Sequence, residues 1–305
     1  MTAYIVRRVM MLFVTLFGVM SVLFVLRTQI GDPTLFLLPP DATEQARLDL
    51  LRHLGLDRPV HEQFATFLTN AVTGNLGLSW RYNQPALPVV LEAFPATLLL
   101  AFSALSFGIL AAIPLGVIAA LRRDTWIDTL ASGLAVIGQA MPVYWSGLLF
   151  ILLFSTKLRW LPSMGAEGWA ALILPAATLG LNTMARIMRI TRSSMLDVLG
   201  QDFVRTVRAK GLSEPIVLFK HALRNAAVPI VALVGLQLGS LLGGAVLIET
   251  VFAWPGVGRL AVNAVYARDF PLVQAVALLV TVTFSLVNLA VDLIAASLNP
   301  QIRLD

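Results

Sequence analysis

The residues able to do chemistry are few, and they fall in telling places. Glu249 and Asp292 are carboxylates within or at the end of strongly hydrophobic stretches, and Asp292 follows Asn288 by one helical turn. Ionisable groups inside a bilayer are costly and default to functional roles. A proton relay, however, needs such groups near the middle of several helices, and both of these lie near a predicted edge, which favours a structural role. The histidines are His53, His61 and His221. His53 and His61 straddle a break at Gly55–Pro59 with no Cys, Asp or Glu completing a ligand set, so solvated helix polars are the favoured reading. No Gly-Lys dipeptide, HExxH or GxSxG occurs, so neither a phosphate-cradling loop nor a zincin or serine-hydrolase signature is present. The chain contains no cysteine, which excludes disulfides and thiolate metal sites. No catalytic, cofactor-binding or metal residue is assigned, and any ATP consumed belongs to another subunit.

The remaining concentration of charge is Gln201–Pro229, QDFVRTVRAKGLSEPIVLFKHALRNAAVP, with six basic side chains counting His221. It lies between two stretches long enough to cross a bilayer. The spacing predicts a helix over Leu196–Lys210 with Arg205 and Arg208 exposed, stopped by Gly211. Ser213 is then an N-cap and Glu214 a first-turn acid for a second short helix to about Asn225. Pro229 opens the next membrane segment. Such a helix–Gly–helix elbow suits docking to a soluble partner; its basic residues equally suit anionic lipid.

The elements that must position these residues are membrane helices. Of 305 residues, 58% are hydrophobic and 13% charged, with mean hydropathy +0.82, whereas soluble domains carry about 25% charged residues. Six charge-poor windows of spanning length stand out: Val9–Leu26, Ala93–Leu121, Thr129–Thr156, Gly168–Ala185, Asn225–Ile248 and Phe270–Val291. Gln63–Trp80 is also uncharged but too polar for hydrocarbon. The fold class is therefore all-α, a polytopic protein with six transmembrane helices. With the amino terminus inside, 13 Lys and Arg fall on internal connections and 4 on short external loops, so both termini are expected in the cytoplasm. That count places Arg186, Arg189 and Arg192 in the fourth-to-fifth connection. The net charge of +5 largely reflects this bias and gives no case for nucleic acid.

The expected organisation is residues 1–30 as tail and first helix, 31–92 as an external segment, and 93–305 as a five-helix core holding a cytoplasmic loop over 186–228. The external segment opens on the turn Gly31-Asp32-Pro33. Asp41 with Glu44 has the form of a capping box, and the helix behind it sets Leu48, Leu51 and Leu54 on one face. A second helix, His61–Val72, aligns Phe64, Phe67, Leu68 and Val72. Gly74–Trp80 reads as a turn-rich strand. This segment is either a cap on the bundle or a vestibule for a soluble partner or arriving solute. Pro114, Pro142 and Pro175 predict kinks, with Tyr144, Trp145 and Ser146 at a pore-facing bend. Gly235, Gly239 and Gly243 share a face, which allows either close helix packing or a smooth wall along a translocation path.

Several stretches together carry a family resemblance. Arg205–Ser213 (RTVRAKGLS) and His221–Ala226 (HALRNA) resemble the coupling loop of ABC-importer permeases, in particular the first permease of the dipeptide, oligopeptide and nickel (and glutathione) importers. Tyr4–Arg8, Gly31–Pro33, Leu54–Asp57 with Pro59, Phe252–Leu260 (FAWPGVGRL), Arg268–Pro271 (RDFP) and Asn299–Arg303 (NPQIR) extend the likeness along the whole chain. Arg205-Thr206-Val207 stands where the broad signature has Glu-Ala-Ala, and Arg224 where it has a proline. The resemblance implies a type I ABC importer permease fold in the bacterial inner membrane and no enzymatic activity of the chain's own. It also implies a homologous second permease, two ABC ATPase subunits that bind ATP, and an external solute-binding protein. Arg205, Arg208, Lys210, Gly211, Leu212, Ser213, Glu214, His221, Arg224 and Asn225 would then dock in an ATPase groove. Tyr144, Gly235, Gly239 and Gly243 are the candidate path. Short peptides are the implied cargo, with glutathione or a nickel chelate as alternatives. An ion-coupled transporter or an intramembrane enzyme would need buried carboxylate or histidine sets that this sequence does not supply.

Overall fold

The computed structural model describes residues 2–29, 38–39, 41–53 and 55–298. The expected Gly31–Pro33 turn, Leu54 and the Asn299–Arg303 motif lie outside them, as does the Asp292 side chain. The α-helices are labelled α1–α11 in chain order, α10 being Val257–Tyr266. Those long and apolar enough to cross a membrane are α1 (Thr2–Gln29), α4 (Ala86–Leu121), α7 (Ala170–Leu199), α9 (Leu223–Val251) and α11 (Phe270–Leu298). The sixth expected span is broken. Helix α5 (Trp126–Ala140) and α6 (Val143–Phe150), the latter continued by a π-helical turn Ile151–Lys157, meet at 108°. Pro142 therefore stands between two helices, not inside one. Its lack of an N–H prevents continuation from α5, and with φ −57° and ψ 133° it opens α6. Pro114 and Pro175 do lie within helices, and so does Pro95.

The chain forms two compact units. The first comprises Met1–Ala93 and Leu260–Thr283. In it, α2 (Glu44–His53) and α3 (Val60–Thr73) follow α1, and Met20 and Phe24 of α1 bury against Phe67 of α3. Phe24 stacks at 5.0 Å on Phe64 and 5.6 Å on Phe67, the arrangement that helical spacing in α3 predicts. Val72 does not join them and is 89% exposed. The α2 cap is Thr43 rather than Asp41: the Ala46 amide donates to Thr43 Oγ1 at 3.3 Å. Gly74 ends α3 at φ +75°. The expected strand over Gly74–Trp80 is instead a tight loop with a single bridge, Leu78 to Pro85.

That loop is held by a buried acid. Asp269, before α11, accepts from Ser79 Oγ (2.5 Å), the Arg81 amide (3.1 Å) and the Leu272 amide (3.3 Å). The last bond caps α11, and the first two tie the loop to it. Trp80 packs edge-on against Phe270 at 5.8 Å. The RDFP motif thus has a structural account.

The second unit comprises Phe94–Arg259 and Phe284–Asp305. Its centre is α7, which packs against α4, α5, α6 and α9. The α4–α7 approach depends on small residues. A methyl at Gly180 would sit 2.5 Å from the Ala104 carbonyl, and one at Gly116 would sit 2.7 Å from Thr191 Cβ. Leaving out the side chain lets the backbones come together, the means by which membrane helices associate where burial from water supplies no drive.

Candidate functional site: the elbow and its supports

Three arginines expected in a connection instead line the second half of α7. Arg186 Nη1 donates to Gln237 Oε1 (3.4 Å) and Arg189 Nη1 to Gln139 Oε1 (2.7 Å). Arg192 grips Asp128 with Nε–Oδ1 and Nη2–Oδ2 both at 2.6 Å. Each arginine thereby fastens α7 to α5 or α9. Charge-free windows end a span at its first arginine, whereas a helix continues for as long as each charge finds a partner or water.

Helix α7 stops at Gly200, a break that no proline or run of turn residues announces. Gln201 is extended at φ −80°, ψ 149°, and α8 (Asp202–Ala209) begins there. One face of α8 is apolar and the other charged. Val204 is fully buried, while Arg205, Arg208 and Lys210 are exposed. Gly211, at φ +76°, makes the turn that L-residues resist. Arg208 reaches across it to Glu214 (2.8 Å and 3.4 Å), pinning one arm to the other. Ser213 contributes through its carbonyl, which accepts from the Ile216 and Val217 amides.

The second arm is not a separate short helix. It runs as π-helix over Ile216–Ala222 and passes without interruption into α9. Pro229 lies inside this helix and does not open it. Val217 and Ala222 are completely buried beside Val204 and Met195, so the elbow sits rigidly on the end of α7. Arg224 and Asn225 are exposed and His221 half-buried; Asn225 Nδ2 donates to the His221 carbonyl at 2.7 Å. Leu212, Ile216 and Phe219 are also exposed (38%, 41% and 64%). The elbow is therefore a fixed surface of apolar side chains ringed by cations.

The path candidates divide. Gly235 faces Val291 and Gly239 faces Phe284 and Asn288, all on α11, so both serve close packing here. A side chain at Gly243 would meet open space, and Tyr144 is half exposed beside a depression of about 410 Å³ at the α5–α6 bend.

At the far end of α9, the sequence set Glu249 near water. The structure folds Phe252–Arg259 over it and buries it completely. Glu249 accepts from Thr97 Oγ1 of α4 (2.7 Å) and from the Arg259 amide (3.0 Å), while Thr97 accepts from the Val257 amide (2.8 Å). Trp254 Nε1 donates to the Ala96 carbonyl at 2.9 Å. Methyl groups at Gly256 or Gly258 would overlap the carboxylate. The FAWPGVGRL motif is the wrapping of one buried acid, and the two glycines spaced behind Glu249 are the sequence signal for it.

The architecture is one of membrane-length helices around a rigid charged elbow. The model for binding-protein-dependent transport system inner membrane components matches residues 112–304, and the corresponding N-terminal model matches residues 1–101. The glutathione transport system permease protein GsiC of Escherichia coli O6:H1 is 43% identical over 305 residues, covering 99% of each chain. Those of strain K12 and of Shigella flexneri serotype 5b are 42% identical over the same length. Among solved structures, the inward-facing MetNI methionine ABC transporter aligns with TM-score 0.59 at 20% identity, covering 70% of this chain and 98% of that one. An amino acid ABC transporter aligns with TM-score 0.52 at 17% identity. The chain belongs to the inner-membrane permease family of binding-protein-dependent ABC importers. Its fold is the type I importer permease fold, and it is a multi-pass, non-enzymatic transport subunit.

Proposed function

We propose that this chain is one half of a permease pair that imports short peptides, glutathione first among them, across the cytoplasmic membrane. The observation that carries this reading is the 43% identity to a glutathione permease over 99% of both chains. A homologous second permease completes the pathway, an external solute-binding protein delivers the cargo, and two ABC ATPase subunits hold the ATP. Both termini lie in the cytoplasm, as the Lys and Arg bias supports. The elbow then faces the ATPases, with Arg205, Arg208, Lys210, Leu212 and Arg224 as its contact surface. Exposed apolar residues on a rigid elbow support a partner surface, and its fixed seating on α7 and α9 suits it to passing ATPase closure to the spans. Open space beside Gly243 and the half-exposed Tyr144 ring support these two as residues bordering the path.

The test is uptake of labelled glutathione, di- and tripeptides, and separately a nickel chelate, in cells with and without the chain. Loss of peptide uptake on deletion, restored by wild type but not with inactive ATPase subunits, is the expected result. Intact peptide uptake with loss of nickel uptake would overturn the cargo assignment and leave the architecture.

A further inference from the structure

Within the first unit, a cavity of about 710 Å³ opens among the ends of α1, α2 and α11 and the Leu76–Asn83 loop. Its volume falls in the range of small-ligand sites, about 300–1,000 Å³. Three guanidiniums line it from three separate elements: Arg27 at the end of α1, Arg52 at the end of α2, and Arg58 in the loop before α3. Among the described residues that line it there is no Asp or Glu. Arg52 has only a loose contact with exposed Asp49 (3.9 Å), and among the described residues neither Arg27 nor Arg58 has an acidic partner.

Two further observations show that the cavity is built. Its walls are braced from behind: Gln63 Nε2 donates to the Leu56 and Arg58 carbonyls (3.1 and 2.8 Å), and Asp269 fixes the opposite loop through Ser79. In addition, Gln274 lines the cavity with only 6% of its surface exposed, and among the described residues its carboxamide has no hydrogen-bond partner. The carboxamide opens onto the cavity, where it offers both a donor and an acceptor to a ligand amide or carboxylate. Trp80 and Phe270 supply an apolar wall.

We infer that this cavity is a receiving site for short peptides that carry more carboxylates than amines. Guanidinium forks match carboxylates in geometry and charge, the carboxamide matches a peptide unit, and among the described lining residues no acid is placed to pair an ammonium group. A peptide with two carboxylates and one ammonium fits this set; a lysine-rich peptide is repelled. The inference rests on the import reading above and sharpens its cargo class.

The assay uses the whole permease–ATPase complex in nanodiscs without the external binding protein, and measures saturable binding of radiolabelled glutathione. Wild type is expected to bind, with unlabelled glutathione competing and its diester and Lys-Lys failing to compete. Arg52→Gln with Arg58→Gln changes two exposed side chains and should weaken binding by about tenfold per guanidinium lost. Gln274→Leu should weaken it as well. Absence of saturable wild-type binding, equal competition by the diester, or unchanged affinity in the double variant would each overturn the site. So would variants that bind glutathione normally but no longer capture the external binding protein, since the cavity would then hold a protein segment. Failure of wild type to support glutathione uptake in cells is a separate result that removes the import reading itself.

Discussion

Arg192 holds Asp128 in a two-pronged ion pair, both contacts at 2.6 Å, with the arginine 28% and the aspartate 7% exposed. The pair clamps the first turn of α5 to α7 just before the elbow. Asp128 also accepts from the Asp124 amide (3.1 Å) and Ser132 Oγ (3.3 Å), so its carboxylate is fully engaged.

Removing one partner strands the other, and loss of a single member of a buried pair costs about 3–5 kcal/mol. Because Arg192 retains some access to water, Asp128→Asn should fall near the lower end, about 3 kcal/mol. Thermal unfolding of the detergent-solubilised complex checks this. The double variant Asp128→Asn with Arg192→Leu should recover part of the loss. Wild-type stability of Asp128→Asn alone would show that the clamp carries no weight.

The buried Glu249 node makes a second expectation. Gly256→Ala forces a methyl into the carboxylate and should destabilise by more than the 1–3 kcal/mol typical, in approximate terms, of overpacking. Glu249→Gln keeps one acceptor but turns an N–H group toward a donor, at about 1–3 kcal/mol. Limited proteolysis near Phe252–Leu260 reports the loosening, and a protease-resistant Gly256→Ala protein would contradict the packing described.

The α4–α7 seam separates volume from polarity. Gly116→Val and Gly180→Val should prevent stable accumulation of the protein, read by membrane-fraction yield. Opposite them, the Thr191 hydroxyl is buried without a hydrogen-bond partner among the described residues. Thr191→Val should therefore be neutral or stabilising by about 1 kcal/mol, and a marked drop in melting temperature would reveal a partner for that hydroxyl.

On the elbow, the Arg208–Glu214 pair is exposed (44% and 57%), so it contributes about 1 kcal/mol at most. Changing Arg205, Arg208 and Lys210 together to Glu should leave insertion intact and abolish copurification with the ATPase subunits. Gly211→Val adds strain at φ +76° and should weaken coupling, measured as transport per ATP hydrolysed, more than it weakens assembly. A triple variant that copurifies and transports normally would remove these residues from the docking surface.

What the sequence allowed to be read depended on how local each cause is. Helix α3 was legible because Phe64, Phe67 and Leu68 repeat at helical spacing, whereas Gly74, read as the start of a strand, proved to be its stop. The spans were legible from hydropathy, since nothing else satisfies backbone groups in lipid. The 108° turn at Pro142 was legible only as a kink, because its angle depends on what α5 and α6 pack against. The extent of α7 was hidden, since Arg186, Arg189 and Arg192 read as a loop until Gln237, Gln139 and Asp128 are known to stand opposite. The structural role of Glu249 was legible but its full burial was not, because its partners lie 152 positions away in Thr97 and ten in Arg259. In the elbow, Gly211 declared itself, whereas the break at Gly200 and the continuity of the second arm into α9 did not.

That continuity has a mechanical consequence. Ile216–Val251 is 36 residues of helix, a contour of about 54 Å at 1.5 Å per residue. One end begins just past Gly211 and the other carries Glu249, sealed beneath its wrapping loop. The elbow and the buried Glu249 node therefore belong to one continuous helical stretch, with no non-helical segment between them to absorb a displacement. Whatever moves the elbow must act on the Glu249 node through that same helix.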